Sequence, residues 1–89
     1  MNIQDFLACM RLLSAYYIDW QFNFDDKYQF ATWYQFLQSS MDFNTLKRVI
    51  HVYMARNNTG PNSPGELQKL KIELDIKDMI HNGEGENEQ

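Results

Sequence analysis

The spacing of apolar residues along the chain alternates between a helical repeat and one short two-residue repeat. From about Ile3 to Tyr17, apolar residues recur three and four positions apart, which places their side chains on one face of an α-helix. Asn2 stands at the N-cap position, and Asp5 lies in the positive first turn. The apolar face of this first helix comprises Ile3, Phe6, Leu7, Met10, Leu13 and Tyr17.

After the first helix, aromatic residues alternate with polar ones, as Trp20, Phe22 and Phe24 do. Such alternation is typical of a β-strand. A single short strand has no partner in the rest of this sequence and would not form a stable sheet. We therefore expect an extended connector whose aromatic side chains insert into a helical body.

Two further helices are predicted at 26–38 and 43–57, with Asp25 and Asp42 as their N-caps. The first of these is apolar on more than one side, which is typical of a helix at the centre of its domain. Trp33 should therefore be buried in the core. The predicted faces are Phe30, Trp33, Tyr34 and Leu37 in one helix, and Phe43, Leu46, Val49, Ile50, Tyr53 and Met54 in the other.

The fourth helix is predicted from a strong start signal. Ser63 and Glu66 have the spacing of a capping box, with Pro64 at the first helical position. Two apolar stripes follow on this helix, and beyond His81 the sequence contains nothing to bury, so residues 82–89 are predicted to be disordered. The stripes are Leu67, Leu70 and Leu74, and Ile72, Ile76, Met79 and Ile80.

Composition and charge divide the chain at the same place. All thirteen aromatic residues lie at or before Tyr53, and all four glycines lie at or after Gly60. Residues 1–64 carry five acidic and five basic residues, whereas residues 65–89 carry seven and three, so this last part holds the whole net charge of −4. We predict an all-α fold: an aromatic body at 1–60, a partly docked fourth helix at 61–81 and a free acidic tail at 82–89.

Few residues are suited to catalysis or metal binding. Cys9 is the single cysteine and His51 and His81 are thirty positions apart, which gives neither a disulfide nor a zinc-ligand spacing. The sequence contains no glycine-rich phosphate loop at the start of a helix. We expect a protein that is not an enzyme and holds no cofactor or metal. No apolar run reaches membrane-spanning length and no signal peptide is evident, which favours a cytoplasmic protein.

Two surfaces are candidates for binding a partner. The first is basic and lies on the third helix; it comprises Lys47, Arg48 and His51, with Arg56 near the helix end. This face either is simply solvated, or contacts phosphates, or contacts an acidic protein surface. Nucleic acid is the weaker functional interpretation, because nucleic-acid modules normally carry a clear basic excess.

The second candidate is the outer stripe of the fourth helix, which comprises Ile72, Ile76, Met79 and Ile80. If the three leucines of that helix pack on the body, this stripe is left without cover. It then either packs on another part of the body or enters a groove on a partner protein.

The order of these features resembles the small bacteriophage replicative helicase loader/inhibitor family. The resemblance covers about residues 3–70. It is carried by Trp33-Tyr34-x-x-Leu37, by the helix that ends in Tyr53-Met54, and by the loop Pro61-x-Ser63-Pro64-x-Glu66-Leu67.

The resemblance implies a non-enzymatic adaptor in phage DNA replication, acting in the cytoplasm of the bacterial host. Its partner would be the hexameric replicative helicase, and the adaptor would control helicase loading by inhibiting or redirecting it. One alternative is a phage inhibitor of the AAA+ ATPase that loads the host helicase. A more distant alternative is a small helical DNA-binding regulator.

Overall fold

The computed structural model describes the backbone of residues 1–87 and the side chains of residues 1–81. Four helices follow one another, and no strand occurs in this described part. The predicted all-α fold is confirmed. The helices are α1 (Ile3–Tyr16), α2 (Lys27–Ser40), α3 (Phe43–Arg56) and α4 (Pro64–Asn87).

Two of the predicted helix starts are confirmed by their N-cap hydrogen bonds. The Asn2 side chain accepts from the Asp5 N–H at 2.8 Å, and the Asp42 side chain accepts from the Thr45 N–H, also at 2.8 Å. Each bond satisfies one of the four N–H groups that a helix leaves without a partner at its start.

The predicted bounds of α2 are wrong by one residue at its start and two at its end. Asp26 is the N-cap, not Asp25, and accepts from the N–H groups of Tyr28 and Gln29 at 3.0 and 3.1 Å. Asp25 belongs to the preceding turn, where its N–H donates to the Asn23 side chain. Two adjacent aspartates are equally good caps by residue type, and this turn decides between them.

The core lies between α1, α2 and α3, and the first half of α4 closes it. α4 packs against both α2 and α3, and α1 packs against the same two helices. Trp33 is buried, as predicted. The buried apolar residues are Phe6, Cys9, Met10, Leu13, Tyr17, Phe22, Trp33, Leu37, Met41, Leu46, Val49, Ile50, Tyr53, Leu67, Leu70 and Leu74.

The connector between α1 and α2 inserts its aromatic side chains into the body, as expected. Phe22 is buried, and Trp20 and Phe24 are half-buried against the core. The Trp20 ring stacks on Phe22 with centroids 5.0 Å apart, and both rings meet Trp33 edge-on at 5.7 and 5.3 Å. Such offset and edge-on pairs stabilise beyond the area they bury, by about 0.5–1.5 kcal/mol each.

Four aromatic donors attach the loop between α3 and α4 to the body. Each donates its O–H or N–H to a backbone carbonyl at the end of α3 or in the loop, so polar tips at the margin of the core find partners. The bonds are Tyr16 Oη to Met54 O at 3.4 Å, Tyr17 Oη to Asn57 O at 2.8 Å, Tyr53 Oη to Thr59 O at 3.0 Å, and Trp20 Nε1 to Pro61 O at 2.7 Å.

The fourth helix begins where predicted and runs past its predicted end. The Glu66 carboxylate accepts from the N–H groups of Asn62 and Ser63, which supplies one half of the capping box. The helical backbone continues to Asn87 instead of ending near residue 81. The free tail predicted at 82–89 stays a prediction. The side chains of residues 82–89 and the backbone of residues 88–89 lie outside the described part of the chain.

Candidate protein-binding surface

The fourth helix carries two apolar faces on opposite sides. At 3.6 residues per turn, the three leucines share one side and Ile72, Ile76, Met79 and Ile80 share the other. The leucines are buried in the core, so the condition under which the sequence leaves the second stripe without cover is met. The four outer residues, called the α4 stripe below, are Ile72, Ile76, Met79 and Ile80, with exposed fractions of 48%, 51%, 72% and 57%.

The exposure of the α4 stripe follows from the way α4 is anchored. Leu67, Leu70 and Leu74 fix the rotation of the helix about its axis, and that rotation turns the stripe to solvent. Salt bridges to α3 hold the same orientation: Arg56 Nη1 lies 3.1 Å from Glu73 Oε1, and Arg48 Nη1 lies 3.1 Å from Asp78 Oδ2. In a single copy of the chain without a partner, the stripe therefore does not pack on the body.

Two of the basic residues predicted to share one face of α3 form ion pairs with α4. Arg48 and Arg56 point to α4, where both nitrogens of the Arg48 fork reach Asp78, at 3.1 and 3.4 Å. Lys47 places its Nζ 4.4 Å from the centroid of the Phe43 ring, a cation–π contact. His51 is exposed on α3. The two arginines of the predicted basic face are therefore engaged by the acidic fourth helix.

These ion pairs change the acidity of the paired groups in the expected directions. Hydrogen bonds from Arg56, and then from Lys77, hold the pKa of the Glu73 carboxyl below its ordinary value. The hydrogen bond to Asp78 raises the pKa of the Arg48 guanidinium. All of these side chains are about half exposed, and exposed pairs contribute little, typically below about 1 kcal/mol each. The bridges thus orient α4, whereas the buried leucines hold it.

A surface cleft that the sequence did not predict lies between the connector and the loop that follows α3. Its volume is about 660 Å³, and Ile18, which is 91% exposed, stands at its edge beside Tyr16. The aromatic donors in its wall already donate to the loop carbonyls, and Asp19 is the one carboxylate in its lining. The cleft therefore offers no acid–base pair.

The Cys9 thiol and the possible metal ligands are the remaining groups with chemistry of their own among the described residues. Burial raises the pKa of the Cys9 thiol to about 11, so the thiol is protonated at neutral pH and packs as a small apolar group. Among the described residues, no three His, Cys, Asp or Glu side chains are placed to hold a metal ion. No helix in the described part of the chain is long and apolar enough to span a membrane.

The α4 stripe is the surface whose exposure needs an explanation. Contiguous exposed apolar side chains on a small protein mark interaction sites more often than isolated ones do. The signal was visible in the sequence as two apolar stripes on one helix, and the structure shows which of them is covered. Comparison with protein-family models, with curated proteins and with solved structures gives no match to this chain.

Proposed function

We propose that this chain is a non-enzymatic adaptor that controls helicase loading in phage DNA replication and binds its partner through the α4 stripe. The partner is the hexameric replicative helicase or the AAA+ loader that acts on it, in the bacterial cytoplasm. The observation that carries the proposal is the exposure of Ile72, Ile76, Met79 and Ile80 on a helix whose other side is anchored in the core.

Several residues of the motifs that carry the resemblance are core positions. Trp33 and Leu37 are buried in α2, and Tyr53 is buried in α3, where it also bonds the loop that leads to Glu66. These residues build the body that presents α4, and they do not themselves form the binding surface. The resemblance therefore supports the proposed role in helicase loading. The exposed stripe supports the proposal that α4 is the surface that binds the partner.

An amphipathic helix that enters a partner's groove is a common mode of recognition. It uses apolar anchors at spacings of three, four and seven residues. Ile72, Ile76, Met79 and Ile80 have this spacing, and the isoleucines are only half exposed, so their lower parts are already held by the helix surface. Because the backbone of α4 is helical without a partner, binding does not have to order it.

The DNA-binding alternative finds less support. Arg48 and Arg56 would have to leave Asp78 and Glu73 before they could contact phosphates. Glu73 and Asp78 would also lie beside the bound nucleic acid, where their charge is repulsive. The inhibitor of the loader ATPase uses the same α4 stripe and differs from the first proposal only in the partner.

A double variant with Ile76→Gln and Ile80→Gln tests the proposal. Glutamine keeps the helix propensity and removes the apolar side chain at two exposed positions. We expect unchanged stability and a loss of helicase affinity of at least tenfold, about 1.4 kcal/mol, measured by biolayer interferometry with the purified hexamer.

The matched control carries Lys47→Gln and His51→Gln on α3. It also changes two side chains without touching the buried core, and it should bind as the unchanged protein does. If the control loses affinity and the stripe variant does not, the interface lies on α3. If the chain binds the purified loader ATPase and not the helicase, the inhibitor alternative holds.

A further inference from the structure

The cleft between the connector and the loop after α3 has the size of a ligand site. Its volume of about 660 Å³ lies within the roughly 300–1,000 Å³ that is common for such sites. Two large side chains line it although they are well exposed, Ile18 at 91% and Tyr16 at 57%. No residue of the α4 stripe is among the described residues of its lining. The cleft is therefore a second surface whose exposure needs an explanation.

The lining of the cleft carries one charge, and that charge is negative. Asp19 is the only charged side chain among the described residues that line it, and it is exposed. The salt bridges of the described residues engage other carboxylates, those of Glu73, Asp75 and Asp78. A ligand in the cleft therefore meets a carboxylate, which favours a cation over an anion.

Polar side chains in the wall direct their donors to the backbone of the chain itself. Tyr17 Oη donates to Asn57 O at 2.8 Å, and Asn57 Nδ2 donates to Tyr53 O at 3.0 Å. Gln21 Nε2 donates to Asp19 O at 3.4 Å. The amide oxygens of Gln21 and Asn57 are left to accept from a ligand. The wall therefore suits a ligand that is rich in N–H donors.

Aromatic rings complete the wall, among them the exposed ring of Tyr16 and the half-buried ring of Trp20. A cation is attracted to the face of such a ring. Arginine is the side chain that combines a fixed positive charge, five N–H donors with no acceptor, and a plane that stacks on aromatic rings. Lysine shares the charge and lacks the plane.

We propose that the cleft binds an arginine side chain of a partner protein, with the guanidinium paired to Asp19 and stacked on Tyr16. A peptide segment suits the site better than free arginine does, because the described lining offers no cation for the carboxylate of a free amino acid. The exposed side chain of Ile18 can pack against the residues beside the arginine. This site is separate from the α4 stripe and does not depend on the proposed function.

Three short peptides of one sequence, acetylated and amidated at their ends, test the proposal. Their central residue is arginine, lysine or citrulline, which keeps the shape of arginine and has no charge. Titration of the full chain at about 50 mM salt is followed by the NMR signals of the Trp20 Nε1–H and the Gly60 N–H. The arginine peptide should bind about fivefold tighter than the citrulline peptide, and tighter than the lysine peptide.

Variants of the chain locate the contact. Asp19→Asn should abolish the preference for arginine over citrulline. Asp25→Asn is the matched control, because it removes an exposed carboxylate of the turn before α2, outside the lining, and should keep the preference. Tyr16→Leu should weaken binding of the arginine peptide about threefold. The variant with Ile76→Gln and Ile80→Gln should bind this peptide as the unchanged protein does.

Equal affinity for the arginine and citrulline peptides, or a preference that survives Asp19→Asn, would overturn the proposal. Tighter binding of free arginine than of the peptide would also overturn it, since the ligand would then be a small molecule. If the arginine peptide binds as expected and the stripe variant still binds the helicase at full strength, the proposed function fails while this site stands.

Discussion

At the residue scale, Trp20 joins three parts of the molecule that are distant in the sequence. Its ring stacks on Phe22 and meets Trp33 edge-on, and its Nε1–H donates to the Pro61 carbonyl 2.7 Å away. The alternation of aromatic residues predicted that Trp20 would be inserted. Nothing in the local pattern indicates Pro61, because the two residues are 41 positions apart and meet only once the body has folded.

Gly60 fits against this tryptophan only because it has no side chain. A Cβ atom placed on Gly60 would lie 2.4 Å from Cδ1 of Trp20, although the backbone there does not need the left-handed conformation. Gly60→Ala should therefore displace the ring and destabilise the protein by about 1–3 kcal/mol, as overpacking of a core does. Urea unfolding followed by tryptophan fluorescence measures the change.

Gly65 is the matched control, since a Cβ there would meet its nearest neighbour, Ser63, at an ordinary 3.5 Å. It lies in the first turn of α4, where alanine restricts the unfolded chain and suits the helix. Gly65→Ala should leave stability unchanged or raise it by up to about 1 kcal/mol. Equal losses at both positions would show that Trp20 does not lie against Gly60.

Trp33 is the more deeply buried of the two tryptophans in the aromatic cluster, and it is only 5% exposed. Trp33→Ala should cost about 3–5 kcal/mol, which is close to the whole stability of a small domain. Thermal unfolding by circular dichroism should show a large fall in Tm or no cooperative transition. Tyr28→Ala changes an aromatic residue of the same helix that is exposed, and it should leave Tm nearly unaltered. A Trp33→Ala protein with the original Tm would show that the core is assigned wrongly.

At the element scale, the helices were predictable from the sequence because their determinants are local. Asn2 and Asp42 each accept a hydrogen bond from the N–H group three residues further along the chain. The spacing of apolar residues indicates which face of each helix is buried. The orientation of α4 was not predictable, because two of its faces are apolar and spacing alone does not rank them. The Arg48–Asp78 and Arg56–Glu73 bridges join residues 30 and 17 positions apart, so the basic side chains of α3 looked free in the sequence.

The Glu73 bridge gives the docking of α4 a dependence on pH. Arg56 and Lys77 lower the pKa of Glu73 in the folded protein from its ordinary 4.5. A carboxyl with a depressed pKa stabilises the fold above its ordinary pKa, and this contribution is lost as the pH falls through the folded value. The Tm advantage of the unchanged protein over Glu73→Gln should therefore be fully present at neutral pH. It should vanish as the pH falls below the ordinary pKa of 4.5 and through the lower pKa of the folded state.

Comparing the two proteins at each pH cancels the titration of the other carboxyl groups. In an Arg56→Gln background the advantage should be smaller throughout, because the main cause of the pKa shift is gone. An advantage that grows as the pH falls would contradict the assigned direction of the shift.

At the scale of the whole molecule, the charge is divided unevenly between the folded body and the acidic fourth helix. The body is neutral, the excess of acid begins in α4, and the two nearest arginines of α3 face that helix. The exposed apolar side chains of the stripe lie on the far side of the same helix. A molecule built in this way presents an apolar helix face to its surroundings, and it pairs Arg48 and Arg56 with carboxylates of that helix.

This arrangement predicts weak binding to DNA. Phosphate contacts need lysines and arginines that are free to approach the backbone, and each duplex contact contributes a slope of about −0.9 in log affinity against log salt. Near physiological salt we expect no complex with duplex DNA tighter than about 10 µM in a fluorescence anisotropy titration. The double variant with Glu73→Gln and Asp78→Asn releases Arg56 and Arg48 and should bind more tightly than the unchanged protein. A complex of micromolar affinity or better formed by the unchanged protein, with a steep dependence on salt, would instead favour the DNA-binding regulator.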